Sequence, residues 1–374
     1  MENKRNCSMD LLRIICMMMV VCIHTLGWVG LIENTLAPGT PNYFICNILF
    51  AFCLVAVNCF VMITGYFQCT STFKLKKCVS TWGTALFYSI VIYFILILTG
   101  NLDFSLKELI KHTMVFTLDR YWFITAYLLL YMVSPFLNCA IRAMSRKTHL
   151  MCCCTLLLLF SVLHNIVYIC DFGDVQGGYS FLWFCILYIV AAYFRSHVTT
   201  KIKHGGILFY ILSVLCICGE RFAAYYITPY IFGKVQLTSL FYSYNSIVMV
   251  IASLALFQFF RGLEIHSERL TKCITGIAPL TLTVYLIHEH DSLRMVIWDY
   301  LHPGKYYDKP WLIFYVILCV IIIFCGCCII EWVRKKVTIV TGIAGKIAKL
   351  CDMIQWKCET FFDHVTKTEQ NMLK

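Results

Sequence analysis

The chain has 374 residues, of which 60% are hydrophobic, 16% aromatic and 14% charged, with a formal net charge of +11. Soluble domains carry about 25% charged and 45–50% apolar residues, so this composition and a mean hydropathy of +0.76 exclude a water-soluble globule. Apolar dominance and 19 glycines without a period also exclude a disordered or collagen-like chain.

A membrane span takes about 20 apolar residues, which leaves room for roughly ten. Ten apolar windows follow in order, near residues 11–31, 44–67, 79–99, 121–140, 149–170, 180–195, 205–219, 240–260, 277–298 and 311–333. Backbone groups in lipid must pair within their own segment, so these windows predict helices. A membrane β-barrel needs alternating segments, and these runs are continuous. The expected fold class is therefore all-α, a polytopic membrane helix bundle of about ten transmembrane helices.

Lys and Arg set the orientation. The even-numbered loops and both tails hold 22 of them: Lys4 and Arg5, Lys74, Lys76 and Lys77, Arg142, Arg146 and Lys147, Arg195, Lys201 and Lys203, Arg261, Arg269 and Lys272, and eight from Arg334 onward. The odd-numbered loops hold 8, namely Lys107, Lys111, Arg120, Arg221, Lys234, Arg294, Lys305 and Lys309, and Arg13 lies inside the first window. The positive-inside rule then places both termini in the cytoplasm. The charge is thereby explained by topology, and no nucleic-acid partner is expected. Lys4 and Arg5 also resemble the start of a signal peptide, but the apolar run after them is too long and lacks a small-residue cleavage pattern, so the first window is expected to stay as a span.

None of the 23 Cys falls in a predicted outer loop. Cys53, Cys59, Cys216, Cys325, Cys327 and Cys328 lie in spans, and Cys69, Cys152, Cys153 and Cys273 face the reducing side, so they read as packing residues and reduced thiols. No His joins them at zinc-finger spacing, and no metal is expected. Residues 1–335 form the expected transmembrane domain and 336–374 a cytoplasmic tail. In that tail Ile339, Val340, Ile343, Ile347, Leu350, Cys351 and Ile354 recur at helical spacing between Lys346, Lys349 and Lys357, which predicts an amphipathic helix on the lipid bilayer's inner leaflet.

Ionisable residues inside spans are the informative ones, because each costs about 2.5–3.5 kcal/mol at mid-bilayer. Arg13 and His24 stand eleven residues apart. At about 100° per residue they fall within about 20° of one helix face and about 16 Å apart along the axis. Asp10, three residues before Arg13, is placed to pair with it. Taken singly, Arg13 reads as a snorkelling topogenic charge and His24 as an interhelical hydrogen bond; their shared stripe suggests one cavity. Histidine is also the side chain best suited to general-base work near neutral pH. In the ninth window Tyr285 and His288 are spaced to share a face, with Glu289, His290 and Asp291 after them as an interfacial polar cap. Trp122 in Tyr121-Trp122-Phe123 fits an aromatic belt. Lys74, Lys76 and Lys77 fit inner-leaflet anchoring, or point charges for a phosphorylated ligand.

This arrangement resembles the acyltransferase-3 family, membrane acyltransferases of bacterial surface carbohydrates, from about residue 5 to 335. The carrying motifs are Arg13 and His24 with ten residues between them, in the context Asp10-Leu11-Leu12-Arg13. Phe60-Val61-Met62-Ile63-Thr64-Gly65-Tyr66-Phe67 looks like the family's second-helix ending, with Thr64 where Ser is commoner. Tyr121-Trp122-Phe123 and Tyr285-Leu286-Ile287-His288 also look like family signatures. The family's paired Arg correspond to Lys74 and Lys77, which lack Arg's bidentate phosphate contact.

The resemblance implies O-acyl transfer, most often of acetyl from acetyl-CoA, to a hydroxyl of a cell-surface polysaccharide or other glycan at the plasma membrane. Arg13, Lys74 and Lys77 would hold the acyl-CoA. His24, with Arg13, would be catalytic, as base or as transient acyl carrier. Trp122, Tyr285 and His288 would bind the carbohydrate acceptor. The external hydrolase-like domain of some members has no counterpart here, so such a step would need polysaccharide-synthesis partners. Ten spans with intramembrane charges also fit a transporter or flippase for a lipid-linked glycan, although the inverted repeats and matched helix breaks of such proteins are not visible.

Overall fold

The computed structural model describes residues 5–166, 175–202, 204–235 and 239–372. Lys4, Lys203 and Lys374, counted above in the charge distribution, lie outside the described residues, as do the side chains of Ile343 and Lys367. Every regular element is helical, and among the described residues there is no strand.

We number the main helices α1 (Cys7–Gly27), α2 (Pro41–Gln68), α3 (Leu75–Leu98), α4 (Leu106–Thr113), α5 (Trp122–Ala143), α6 (Arg146–Leu157), α7 (Phe181–His197), α8 (His204–Phe232), α9 (Ile247–Gly262), α10 (Glu268–His288), α11 (Asp291–Leu301), α12 (Leu312–Thr341) and α13 (Ile343–Met372). Among the described residues, seven (α1, α2, α3, α5, α8, α10 and α12) are long and apolar enough to cross a membrane. The apolar α7 and α9 are shorter. The fifth window, near 149–170, is α6 continued through a π turn at Leu158–Val162 to Ile166, and its last residues lie outside the described set.

Two windows differ from their helices for visible reasons. The seventh was expected to end at 219, where Glu220 and Arg221 interrupt the hydropathy, yet α8 continues to Phe232. Both charges find partners inside the bundle: the Leu240 amide donates to Glu220 at 3.3 Å, and Arg221 reaches the Ile32 carbonyl and lies 4.6 Å from the Tyr242 ring. The ninth window breaks at His288, because the His290 ring accepts the amides of Ser292 and Leu293 and starts a new helix there.

The core gathers around α1, which packs against α2, α9, α10 and α12. Its start is fixed by Asn6, whose side chain accepts the Met9 amide at 3.3 Å and satisfies one free donor of the first turn. Within lipid, helices associate through close backbone approach and polar contacts rather than hydrophobic burial. Both are present. Gly65 on α2 meets α7 where an added Cβ would lie 2.8 Å from Tyr188 Cα and 2.8 Å from its carbonyl oxygen. Asn58 on α2 donates to the Tyr244 carbonyl at 2.8 Å and accepts from Trp183 Nε1 at 3.1 Å, which ties α2 to α7 and to the start of α9. All described cysteines are free thiols.

Backbone atoms cannot yield as a flexible side chain does, so Gly65→Ala should destabilise the α2–α7 contact by about 1–3 kcal/mol. A lowered thermal unfolding midpoint in detergent is the expected reading, and an unchanged midpoint would show that the helices separate freely.

Candidate active site

His24 lies in the last two turns of α1 and His288 is the last residue of α10; the packing of these helices brings the two rings together. His24 Nδ1 stands 2.8 Å from His288 Nε2 and 3.0 Å from the Glu289 carboxylate. The other nitrogen of His288, Nδ1, is within hydrogen-bond distance of the Val284 carbonyl. A carbonyl oxygen only accepts, so His288 Nδ1 carries the proton and its Nε2 is bare. His24 Nδ1 must then be the donor, shared between His288 Nε2 and Glu289. Its own Nε2 keeps a free lone pair in the neutral ring. One ring thus sets the tautomer of the other, as a second residue does for bases in known catalytic arrangements.

Glu289 is fixed in turn. Trp28 Nε1 donates to one oxygen at 3.1 Å and Arg294 to the other at 3.0 Å, while the Arg294 guanidinium lies 4.0 Å from the Trp28 ring. Burial alone disfavours the charged form of this carboxyl and pushes its pKa up. The hydrogen bond and charge of His24, with His288 and Arg294, outweigh that and hold it below the usual carboxylate range. Asp291 lies 3.8 Å from Arg294 and pairs with Arg120, which also reaches Glu108 at 3.2 Å. A chain of alternating charges therefore runs from α4 and α11 to His24.

A cavity of about 970 Å³ connects this cluster with the opposite end of the bundle. Its lining runs from Arg13 and Lys77 to His24, Glu289 and Arg294, with Trp122 and Tyr285 along the wall. Arg13 donates to the buried Asp10 at 2.8 Å and sits 5.9 Å from the Phe67 ring. Lys77 Nζ lies 4.7 Å from the Tyr131 ring and 3.5 Å from Gln68 Oε1. Trp122 is part of an aromatic group with Tyr179 at 4.7 Å and Tyr244 at 6.4 Å, and both of these also line the cavity. Gly178, at φ +95°, holds Tyr179 against Tyr244: an added Cβ would lie 2.5 Å from Tyr244 Cβ.

The structure thus brings Arg13, His24, Lys77, Trp122 and Tyr285 onto one cavity, and it separates two residues from them. Lys74 precedes α3 and its backbone is bonded to the Tyr131 hydroxyl, outside the cavity lining. His288 is wholly buried and faces His24 rather than the cavity. Glu289, Arg294, Trp28, Tyr179 and Tyr244 were not singled out as site residues in the sequence. Glu289 directly after His288 was the available signal, read there as part of an outer polar cap.

By residue type, His24, His288 and Glu289 form a possible metal-ligand set, with candidate atoms within 4.8 Å of one another. Zinc bonds of about 2.0–2.1 Å in a tetrahedral site set ligand atoms about 3.3 Å apart. The 2.8 and 3.0 Å separations here are hydrogen-bond lengths, and the His24 proton accounts for both.

The family model for the acyltransferase-3 family, described as an acyltransferase domain, matches residues 6–332. No curated protein and no solved structure matches the chain.

The hydrogen-bond chain fixes both tautomers. In ¹⁵N-histidine NMR at a pH where the rings are neutral, His24 and His288 should both show a protonated Nδ1 and a bare Nε2. A protonated Nε2 on His288 would remove the basis for the His24 assignment.

Proposed function

Because the chain belongs to the acyltransferase-3 family, we propose that it is a membrane O-acyltransferase moving acetyl from acetyl-CoA to a hydroxyl of a cell-surface glycan. The observation that carries this reading is the cavity with cations at one end and His24, its Nε2 free, toward the other. The charge distribution makes the Arg13 and Lys77 end cytoplasmic, which is where acetyl-CoA is available in a plasma-membrane protein. Arg13 and Lys77 hold the phosphates and adenylate end of the donor. Lys74, just before α3, adds charge near that mouth.

His24 Nε2 takes the proton of the acceptor hydroxyl as its oxygen attacks the thioester carbonyl. The C–O bond forms, the C–S bond breaks, and the CoA thiolate leaves with the proton returned by His24. Glu289 offsets the imidazolium charge that arises between these steps. His288 acts behind His24, fixing its tautomer, instead of touching the acceptor. Trp122 and Tyr179 offer faces on which a sugar ring stacks, and Tyr285 closes the wall beside His24. Partners of a polysaccharide-synthesis system would deliver the acceptor.

The test uses membranes containing the protein, supplied with acetyl-labelled acetyl-CoA and the host's surface glycans. His24→Ala at matched expression should lower label transfer by about 10²–10⁴-fold, the usual contribution of a general base. Glu289→Gln should lower it less, and Lys77→Ala should raise the KM for acetyl-CoA more than it lowers kcat. Undiminished transfer by His24→Ala would discard His24 as the centre. Glycan movement across the membrane without labelling, by the wild type, would put a flippase in place of the enzyme.

A further inference from the structure

A second hollow, of about 1090 Å³, lies between α3, α12 and the start of α13, and shares only Lys77 with the cavity above. On α3 it reaches from Lys76 to Leu96, about 30 Å along the helix axis, which is the thickness of the hydrocarbon core. Most of its length is apolar, and Phe87, Ile95 and Ile330 present exposed side chains to it. One end differs. There the lining holds three cations, Lys76, Lys77 and Arg334, with the hydroxyls of Ser80, Thr338 and Thr341, and no carboxylate.

The cations are held in place before anything binds. Arg334 donates to Glu331 at 2.6 and 2.8 Å, and that carboxylate, 2% exposed, also accepts from the Tyr88 hydroxyl at 2.9 Å. Lys335 lies 3.7 Å from the same carboxylate. Lys76 meets Asp352 on α13 at 3.2 Å, with both side chains about half exposed, so that pair is weak. Lys77 has no carboxylate partner among the described residues. Four cations thus face two carboxylates. Gln355 on α13 accepts from the Leu75 amide at 2.8 Å and donates to the Phe73 carbonyl at 3.2 Å, which seats α13 across this end, where Ile347 and Ala348 complete the lining.

We infer that this hollow binds an anionic phospholipid of the leaflet at its basic end, with the phosphate among Lys76, Lys77 and Arg334 and the acyl chains along α3 and α12. A packed helix from a second copy would fill the apolar length but leave the excess positive charge without a partner; a phospholipid meets the charge with its phosphate and fills the adjoining half of the apolar length with its acyl chains. By the distribution of Lys and Arg this is the inner leaflet, whose anionic lipids attract basic residues by about 1 kcal/mol each. The inference shares one residue, Lys77, with the acyl-transfer reading; His24 and the rest of the cavity do not enter it, and Lys77 is left unchanged in its test.

Two substitutions probe the two halves of the site. An added Cβ at Gly83, which lines the hollow, meets nothing within 4 Å, so Gly83→Leu fills the apolar half without a clash at its first carbon. Lys76→Gln removes one cation from an exposed position. The full-length protein in uncharged detergent is incubated with equal amounts of phosphatidylglycerol and phosphatidylcholine, and retained lipid is read by native mass spectrometry. Phosphatidylglycerol should be retained in preference. Lys76→Gln should weaken its retention about fivefold, the equivalent of about 1 kcal/mol, and Gly83→Leu should displace it. Equal retention of the two lipids, or retention unchanged in both variants, overturns the proposal. A lipid-free dimer that Gly83→Leu dissociates overturns it in favour of a second copy. Thermal unfolding of each variant confirms that it is folded.

Discussion

The contact of His24 with His288 and Glu289 is the constraint from which the rest of the site follows. An ionisable group inside a bilayer costs at least about 2.5–3.5 kcal/mol when it stands alone, and α1 and α10 each bring one to the same depth. Each supplies what the other lacks: a donor on His24 Nδ1, an acceptor on His288 Nε2, and a charge on Glu289. That satisfaction requires α1 to cross α10 at the C-terminal turn of each, beside α2, α9 and α12, which also pack on α1. It also leaves one nitrogen of one ring unused. The polar atom that the packing does not consume is the one available for chemistry.

Satisfaction then spreads outward. Glu289 is buried beside an imidazole, so it needs more than that one donor, and Trp28 and Arg294 provide it. Arg294 adds a charge that Asp291 partly offsets, and Asp291 is held by Arg120. The α4–α5 connection is thus tied electrostatically to the end of α10. A buried carboxylate is costly when a partner is removed from it, which makes this chain of charges a unit.

The face shared by Arg13 and His24 was legible because both lie on one continuous helix, where a fixed angle per residue converts spacing into direction. Apolar length located the helices but not all their ends: α12 runs to Thr341 past the window's end near 333, α9 starts at Ile247 instead of near 240, and α8 runs past Glu220 and Arg221, which Phe241, Tyr242 and Ile32 accompany. The pairing of Lys74 with Lys77 rested on the family resemblance, and since α3 begins at Leu75 only Lys77 lies on that helix and lines the cavity. The place of His288 was not legible. Its spacing from Tyr285 says that they share a face of α10, not which neighbour that face meets. Glu289 and Arg294 were readable only as an outer cap and a topogenic charge, since their roles depend on His24 in α1 and on Trp28 just after it.

The two ends of the cavity hold cations in different states, and this gives it a direction. At the His24 end, Arg294 and Arg120 are engaged by Glu289, Asp291 and Glu108, so their charge is spent within the protein. At the other end Arg13 shares the one carboxylate of Asp10 with Arg5, and Lys77 has a ring and an amide beside it and no carboxylate among the described residues. A phosphorylated ligand therefore gains most at the Lys77 end and little beside His24. The aromatic faces of Trp122, Tyr179 and Tyr244 favour a neutral, ring-shaped ligand instead. A chain that carries an uncharged acyl group on a phosphorylated handle fits this polarity in one orientation only, handle at Lys77 and acyl group toward His24.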